Sequence, residues 1–184
     1  STLSSLNYRG VVAVHSEKAS YFTSASSHYA SRPRESEIES VRDQIKFASE
    51  SSFKGTLHIA HISTSGALSL VKDAKEKGEI KITAGATAHH ALLNYSSENQ
   101  ILRMNPPLRS EEDRLSIFNG LLTGDIDWIE SDHAPHTLQD KMEGKCGIPG
   151  FEGTLLLIEE LRRKGIKKER LSALLSSNIS SACG

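Results

Sequence analysis

Four short apolar runs, each followed by residues at helical spacing, constrain this chain more than any other feature. The runs are Gly10-Val11-Val12-Ala13-Val14-His15, Thr56 to Ile62, Ile80 to Ala84 and Ile126 to Ser131. Short β-branched runs bounded by polar residues read as buried strands. Between them, Ile38, Val41, Ile45 and Ala48 are spaced as one face of a helix over 36–49. Ser65 is placed to cap a second helix through Leu68, Leu70, Val71 and Ala74, which Gly78 ends. Ser110-Glu111-Glu112-Asp113 resembles a capping box for a third, through Leu115, Phe118, Leu121 and Leu122, broken by Gly124. A fourth helix is expected from Thr154 to Lys164 and a shorter one over 168–176.

Regular alternation of strand and helix with apolar strands implies a parallel sheet. No glycine-rich nucleotide turn follows any strand. The polar residues of interest gather at the C-terminal ends of the strands, which in a (β/α)₈ TIM barrel is the catalytic face. Four βα units are half of such a barrel. The expectation is therefore that residues 1–184 form its C-terminal half, roughly strands 5–8, with the N-terminal half absent from this sequence. The start at Ser1 without Met agrees with that expectation. Alone, such a half would expose sheet edges, so the 184 residues by themselves are expected to be inactive and prone to aggregate. The stretch from Ser16 to Arg34 has no usable period, and the serines between Ser16 and Ser52 read as part of a solvated, mobile loop.

Composition narrows the function classes. The formal net charge is −1 with no block of Lys or Arg, which disfavours nucleic acid and anionic membrane. Aromatics make up 5% of the chain, too few for a base-stacking surface. No apolar run approaches the roughly 20 residues that span a bilayer. Cys146 and Cys183 are too few and too far apart for a disulfide framework. A cytoplasmic enzyme acting on a small molecule is the expectation.

Ser131-Asp132-His133-Ala134-Pro135-His136 places a carboxylate and two imidazoles on a turn just past the fourth strand. Strand alternation sorts the other histidines. His15 shares a face with Val11 and Ala13, and His61 shares one with Leu57 and Ile59, whereas His58 points the other way, toward the surrounding helices. His15, His61 and Asp132 thus form a candidate site for Zn²⁺, which accepts nitrogen and oxygen ligands. His28 and His58 are read as ordinary hydrogen-bonded histidines, and His89 and His90 as a polar loop pair. His133 either orients Asp132 or scaffolds its loop.

These residues resemble a known family. Asp132-His133-Ala134-Pro135-His136, with Lys141 beyond it, is similar to the dihydroorotase signature of the amidohydrolase superfamily. Met104-Asn105-Pro106-Pro107-Leu108-Arg109 resembles that family's substrate-binding segment. His58-Ile59-Ala60-His61-Ile62-Ser63-Thr64 and Val14-His15-Ser16-Glu17 resemble its two single-histidine metal strands, and Thr87-Ala88-His89-His90 echoes a Thr-Pro-His-His segment.

The resemblance implies a metal-dependent hydrolase barrel that interconverts N-carbamoyl-L-aspartate and L-dihydroorotate in pyrimidine (UMP) biosynthesis. It implies two Zn²⁺ ions in the intact enzyme, with His15, His61 and Asp132 as ligands and Asp132 also as the catalytic proton shuttle. Asn105 and His136 would bind substrate, with backbone donors around Cys146 and Gly147. A homo-oligomer or association with aspartate carbamoyltransferase is implied as well. A dihydropyrimidinase (hydantoinase), an allantoinase, or a non-catalytic partner of aspartate carbamoyltransferase are the alternatives. The sequence departs from the family at several points. Glu130 stands where a small residue is usual, Ala88 replaces proline, and Cys146 stands where phenylalanine is common. The tail after Asn178 lacks the usual Asn-Pro. No His-x-His strand, no bridging lysine or aspartate, and none of the family's N-terminal Arg and Asn substrate ligands has a counterpart.

Overall fold

The computed structural model describes residues 2–97 and 99–183. Strands β1 (Val11–Val14), β2 (Thr56–Ile59), β3 (Lys81–Thr87) and β4 (Trp128–Glu130) pair in chain order, all in parallel. The helices are α1 (Thr2–Ser5), α2 (His28–Ser31), α3 (Arg34–Glu50), α4 (Ser65–Lys77), α5 (Ala88–Leu92), α6 (Glu111–Thr123), α7 (Leu138–Met142), α8 (Phe151–Arg163), α9 (Lys168–Ser172) and α10 (Asn178–Cys183). The last two are joined by a π-helical turn at Ala173–Ser177.

Register sorts the two faces of the sheet. Val12, Leu57 and Ile82 align across three strands, as do Val14, Ile59 and Ala84. Leu57, Ile59, Ile82 and Ala84 are buried in the main core with Val41 of α3, Leu68 and Val71 of α4, and Leu121 of α6. This apolar layer fixes which way each strand faces, because a slip of one residue would turn the aliphatic side chains out of it. Ala13, His58 and Thr83 align on the opposite face. The expectation that His58 packs against the helices is therefore corrected. The helices claim the aliphatic row, and His58 lies on the other side, stacked on Trp128 with ring centroids 4.2 Å apart.

Chemistry at the helix ends sets the loops. The Thr64 side chain caps α4 by accepting from the Ala67 amide, one position earlier than expected. Ser65 instead donates its amide and hydroxyl to Asp113. Gly78 closes α4 and Gly124 closes α6, both in the left-handed conformation that glycine reaches without steric cost. Ser110 caps α6 as expected, accepting from the Asp113 amide at 3.2 Å. Helix α8 starts at Phe151, before the expected Thr154. The Ser16–Ser52 stretch is a solvated loop only in part, with residues 23–26 exposed and outside any helix. Elsewhere in it Ser16 and Ser36 are buried, and α3 takes up Arg34–Glu50.

Candidate active site

Strand β2 stops at Ile59, and the chain turns before His61, whose φ of 37° is left-handed. That turn carries the ring toward the tip of β1. His15 Nδ1 lies 3.1 Å from His61 Nε2, with ring centroids 4.8 Å apart and edge-on. On its other side His15 Nε2 meets Glu17 Oε2 at 3.0 Å. Glu17 is held in turn by Arg32, whose Nη2 donates to Oε2 at 2.7 Å and whose Nε donates to Oε1 at 3.1 Å. Burial by itself would raise the Glu17 pKa. The hydrogen bonds from His15 and Arg32 outweigh it and bring the carboxyl to about 2. An ionised Glu17 accepts a hydrogen bond from Nε2–H, which leaves the Nδ1 lone pair of His15 facing His61.

Two facing imidazole nitrogens suit a shared cation. Ligand bonds of about 2.0–2.1 Å at a tetrahedral ion place two nitrogens roughly 3.3 Å apart, close to the 3.1 Å found. His61 Nδ1 is buried with no hydrogen-bond partner. Burial and the neighbouring His15 both lower the proton affinity of His61, while Asp132 and Glu130 oppose them. Asp132 is thus near enough to act on His61 electrostatically. It sits exposed on a turn at φ 42°. Among the described residues, no three His, Cys, Asp or Glu side chains are drawn into one metal-holding group. His15 and His61 fit an ion, and its remaining ligands would come from Asp132 or from beyond these groups.

The other expected residues gather around His28, which was expected to be an ordinary histidine. Its Nε2 lies 2.9 Å from the Met104 carbonyl and 3.0 Å from Asn105 Oδ1, while Nδ1 accepts from Arg103 Nε at 3.2 Å. With Nε2 as the donor, the Asn105 carbonyl is engaged and its amide group is left to donate elsewhere. Cys146 Sγ is 3.9 Å from the same His28 nitrogen. His136 Nε2 meets the Cys146 carbonyl at 3.0 Å. The Gly147 amide, expected as a free donor, instead donates to the Arg103 carbonyl at 2.9 Å. A side chain at Gly147 would strike Ala134 and His136, and its φ of 130° suits glycine. Lys141 is a buried staple, donating to the carbonyls of Arg103, Lys145 and Gly147.

His133 scaffolds its loop: Nδ1 accepts from the Gly150 amide and the ring stacks on Phe151. His89 and His90 are corrected too, because they lie buried at the start of α5 rather than in a polar loop. His90 bonds Thr87 Oγ1 at 2.8 Å and the Pro106 carbonyl at 3.0 Å. Burial, and next the charge of His61, push His89 down to about 4, and its buried Nε2 has no partner. Glu17 and His28 are the functional candidates that sequence reasoning missed. Glu17 carried a usable signal, standing two residues beyond His15. His28 lies in the aperiodic 16–34 stretch, where no pattern marks it.

No family model matches the chain. Among curated relatives, the dihydroorotases of Bacillus thuringiensis (strain Al Hakam) and Bacillus cereus (strain Q1) are each 44% identical over 117 residues, which is 59% of this chain and 27% of theirs. The matched segment thus spans about a quarter of those relatives. Among solved structures, the D-hydantoinase (dihydropyrimidinase) from Thermus sp. superposes with a TM-score of 0.87 at 23% identity, covering 100% of this chain and 45% of that one. Dihydroorotase from Saccharomyces cerevisiae, in complex with 5-fluoroorotic acid, gives 0.75 at 19% identity, covering 97% and 50%. These likenesses show a shared fold. Over 117 residues the chain is similar in sequence to dihydroorotases, and it has the fold of part of the TIM barrel that the hydantoinase and dihydroorotase structures share.

Proposed function

We propose that this chain supplies one side of a dihydroorotase active site that interconverts N-carbamoyl-L-aspartate and L-dihydroorotate, a step of pyrimidine biosynthesis. The observation that carries the reading is the His15–His61 pair, set 3.1 Å apart at the strand tips beside the Asp132 turn. The substrate assignment is supported by the 44% identity to dihydroorotases. The unpaired outer edges of β1 and β4 among the described residues support reading residues 1–184 as half of a barrel that a further βα stretch completes. An association with aspartate carbamoyltransferase or a homo-oligomer belongs to that whole protein.

His15 and His61 would hold Zn²⁺, with Asp132 as a further ligand; when bound, the ion supplies a Lewis acid and lowers the pKa of a bound water to about 7. Glu17 keeps His15 Nε2 protonated and the ring fixed. In the hydrolytic direction, water oxygen adds to the ring amide carbonyl. Asp132 takes the water proton and returns it to the leaving nitrogen as the C–N bond breaks. Asn105, steadied through Oδ1 by His28, offers its amide group to the substrate. His136, from the Asp132 loop, meets the Cys146 carbonyl, and Cys146 Sγ lies 3.9 Å from His28.

The hydantoinase likenesses favour one second reading, a dihydropyrimidinase. Turnover of dihydroorotate and of dihydrouracil by the whole protein separates the two. The first reading expects dihydroorotate to be the better substrate by kcat/KM. A preference for dihydrouracil would replace it with the second.

A further inference from the structure

The turn that presents His61 needs something to hold it. A non-glycine residue in the left-handed region costs about 1–3 kcal/mol and persists only where its surroundings over-determine it. Three successive amides are tied down here. Ala60 N–H donates to the Val14 carbonyl of β1 at 3.1 Å, and Ile62 N–H donates to the Gly85 carbonyl of β3 at 2.8 Å. Between them, His61 N–H points at neither neighbouring strand and donates to Glu130 Oε2 of β4 at 2.6 Å. A side chain reaching from two strands away replaces the missing ladder bond.

Glu130 is itself fixed. Its Oε1 meets His58 Nε2 at 2.5 Å and accepts from Trp128 Nε1 at 3.2 Å. His58 is steadied from its other nitrogen by Thr83 Oγ1 at 2.9 Å. The carboxylate has room only because residue 85 is glycine. A Cβ there would clash with Glu130 Oε1 and Cδ, although the φ of Gly85 is not one that demands glycine.

We propose that Glu130 is a positioning residue, clamping the His61 turn so that its ring faces His15, and that Gly85 is glycine to admit that carboxylate. The inference rests on His61 being a metal ligand.

The test uses the whole protein stripped of metal, with zinc affinity read by chelator competition and cobalt coordination read by visible absorption. Loss of such an outer partner typically weakens metal binding about 10- to 100-fold. That range is expected for Glu130→Ala, together with an altered cobalt spectrum. Glu130→Gln, which keeps an oxygen to accept from His61 N–H, should recover most of the affinity and keeps the test open if Glu130→Ala fails to fold. Gly85→Ala should weaken zinc by displacing the carboxylate. In a Glu130→Ala background it should cost nothing further, a non-additivity that mere loss of stability at two sites would not produce. Unchanged zinc affinity and cobalt spectrum in Glu130→Ala, with binding lost in His61→Ala, would overturn the inference and leave the site reading standing. Unchanged zinc affinity in His61→Ala would overturn both.

Discussion

Acid should destabilise this protein through His89 before it titrates the carboxylates. His89 is 5% exposed at the start of α5, with Nε2 unpartnered and with His61 as the neighbouring charge. Its pKa falls from 6.5 to about 4, because burial and then the His61 charge disfavour the imidazolium. In the unfolded chain His89 takes up its proton near 6.5, whereas the folded protein resists until about 4. Within that window the unfolded state binds more protons, so stability falls as pH falls, and it levels off below both values. The gap between 6.5 and about 4 corresponds to about 3 kcal/mol, a large share of the roughly 5–15 kcal/mol of a typical domain. Urea unfolding of the whole protein and of His89→Gln, measured across this window, isolates the effect, since every other ionisable group is common to both. Wild type should lose about 3 kcal/mol more than the variant between the two ends. Parallel pH profiles would refute the account of His89 as a buried neutral imidazole.

Asp132→Ala should collapse kcat for dihydroorotate while changing KM much less, because the proton transfer assigned to it belongs to the transition state; steady-state kinetics that retain normal turnover would assign the proton to another group. Asn105→Ala and His136→Ala should each remove about 1–3 kcal/mol of substrate recognition, or roughly 5- to 150-fold in kcat/KM. Wild-type kcat/KM in both variants would take substrate binding away from this loop cluster.

The sheet was legible because its strands are aliphatic and its helices amphipathic. Val11 to Val14, Thr56 to Ile59 and the row through Leu121 fall where their periods place them. Strand alternation failed where the strand did. It sent His58 toward the helices on the assumption that β2 runs on to His61, but the chain leaves the ladder after Ile59 and turns through φ 37°. His15 and His61 still meet, by a turn rather than by alternation. The layer behind them was less legible. Arg32 reaches Glu17 across fifteen residues and Glu130 reaches His58 across seventy-two, and such contacts leave no local spacing to read. His28 lies on a four-residue helix that has no buried side chain to give it a period. His89 and His90 read as polar loop residues because adjacent histidines give no sign of burial.

X-ray diffraction above and below the zinc absorption edge, from crystals of the whole protein grown with zinc, tests the central claim most directly. The account predicts an anomalous peak between His15 Nδ1 and His61 Nε2, about 2.0–2.1 Å from each, with the Asp132 carboxylate turned toward it. A zinc-bound, active enzyme whose anomalous peaks lie away from both histidines would contradict it.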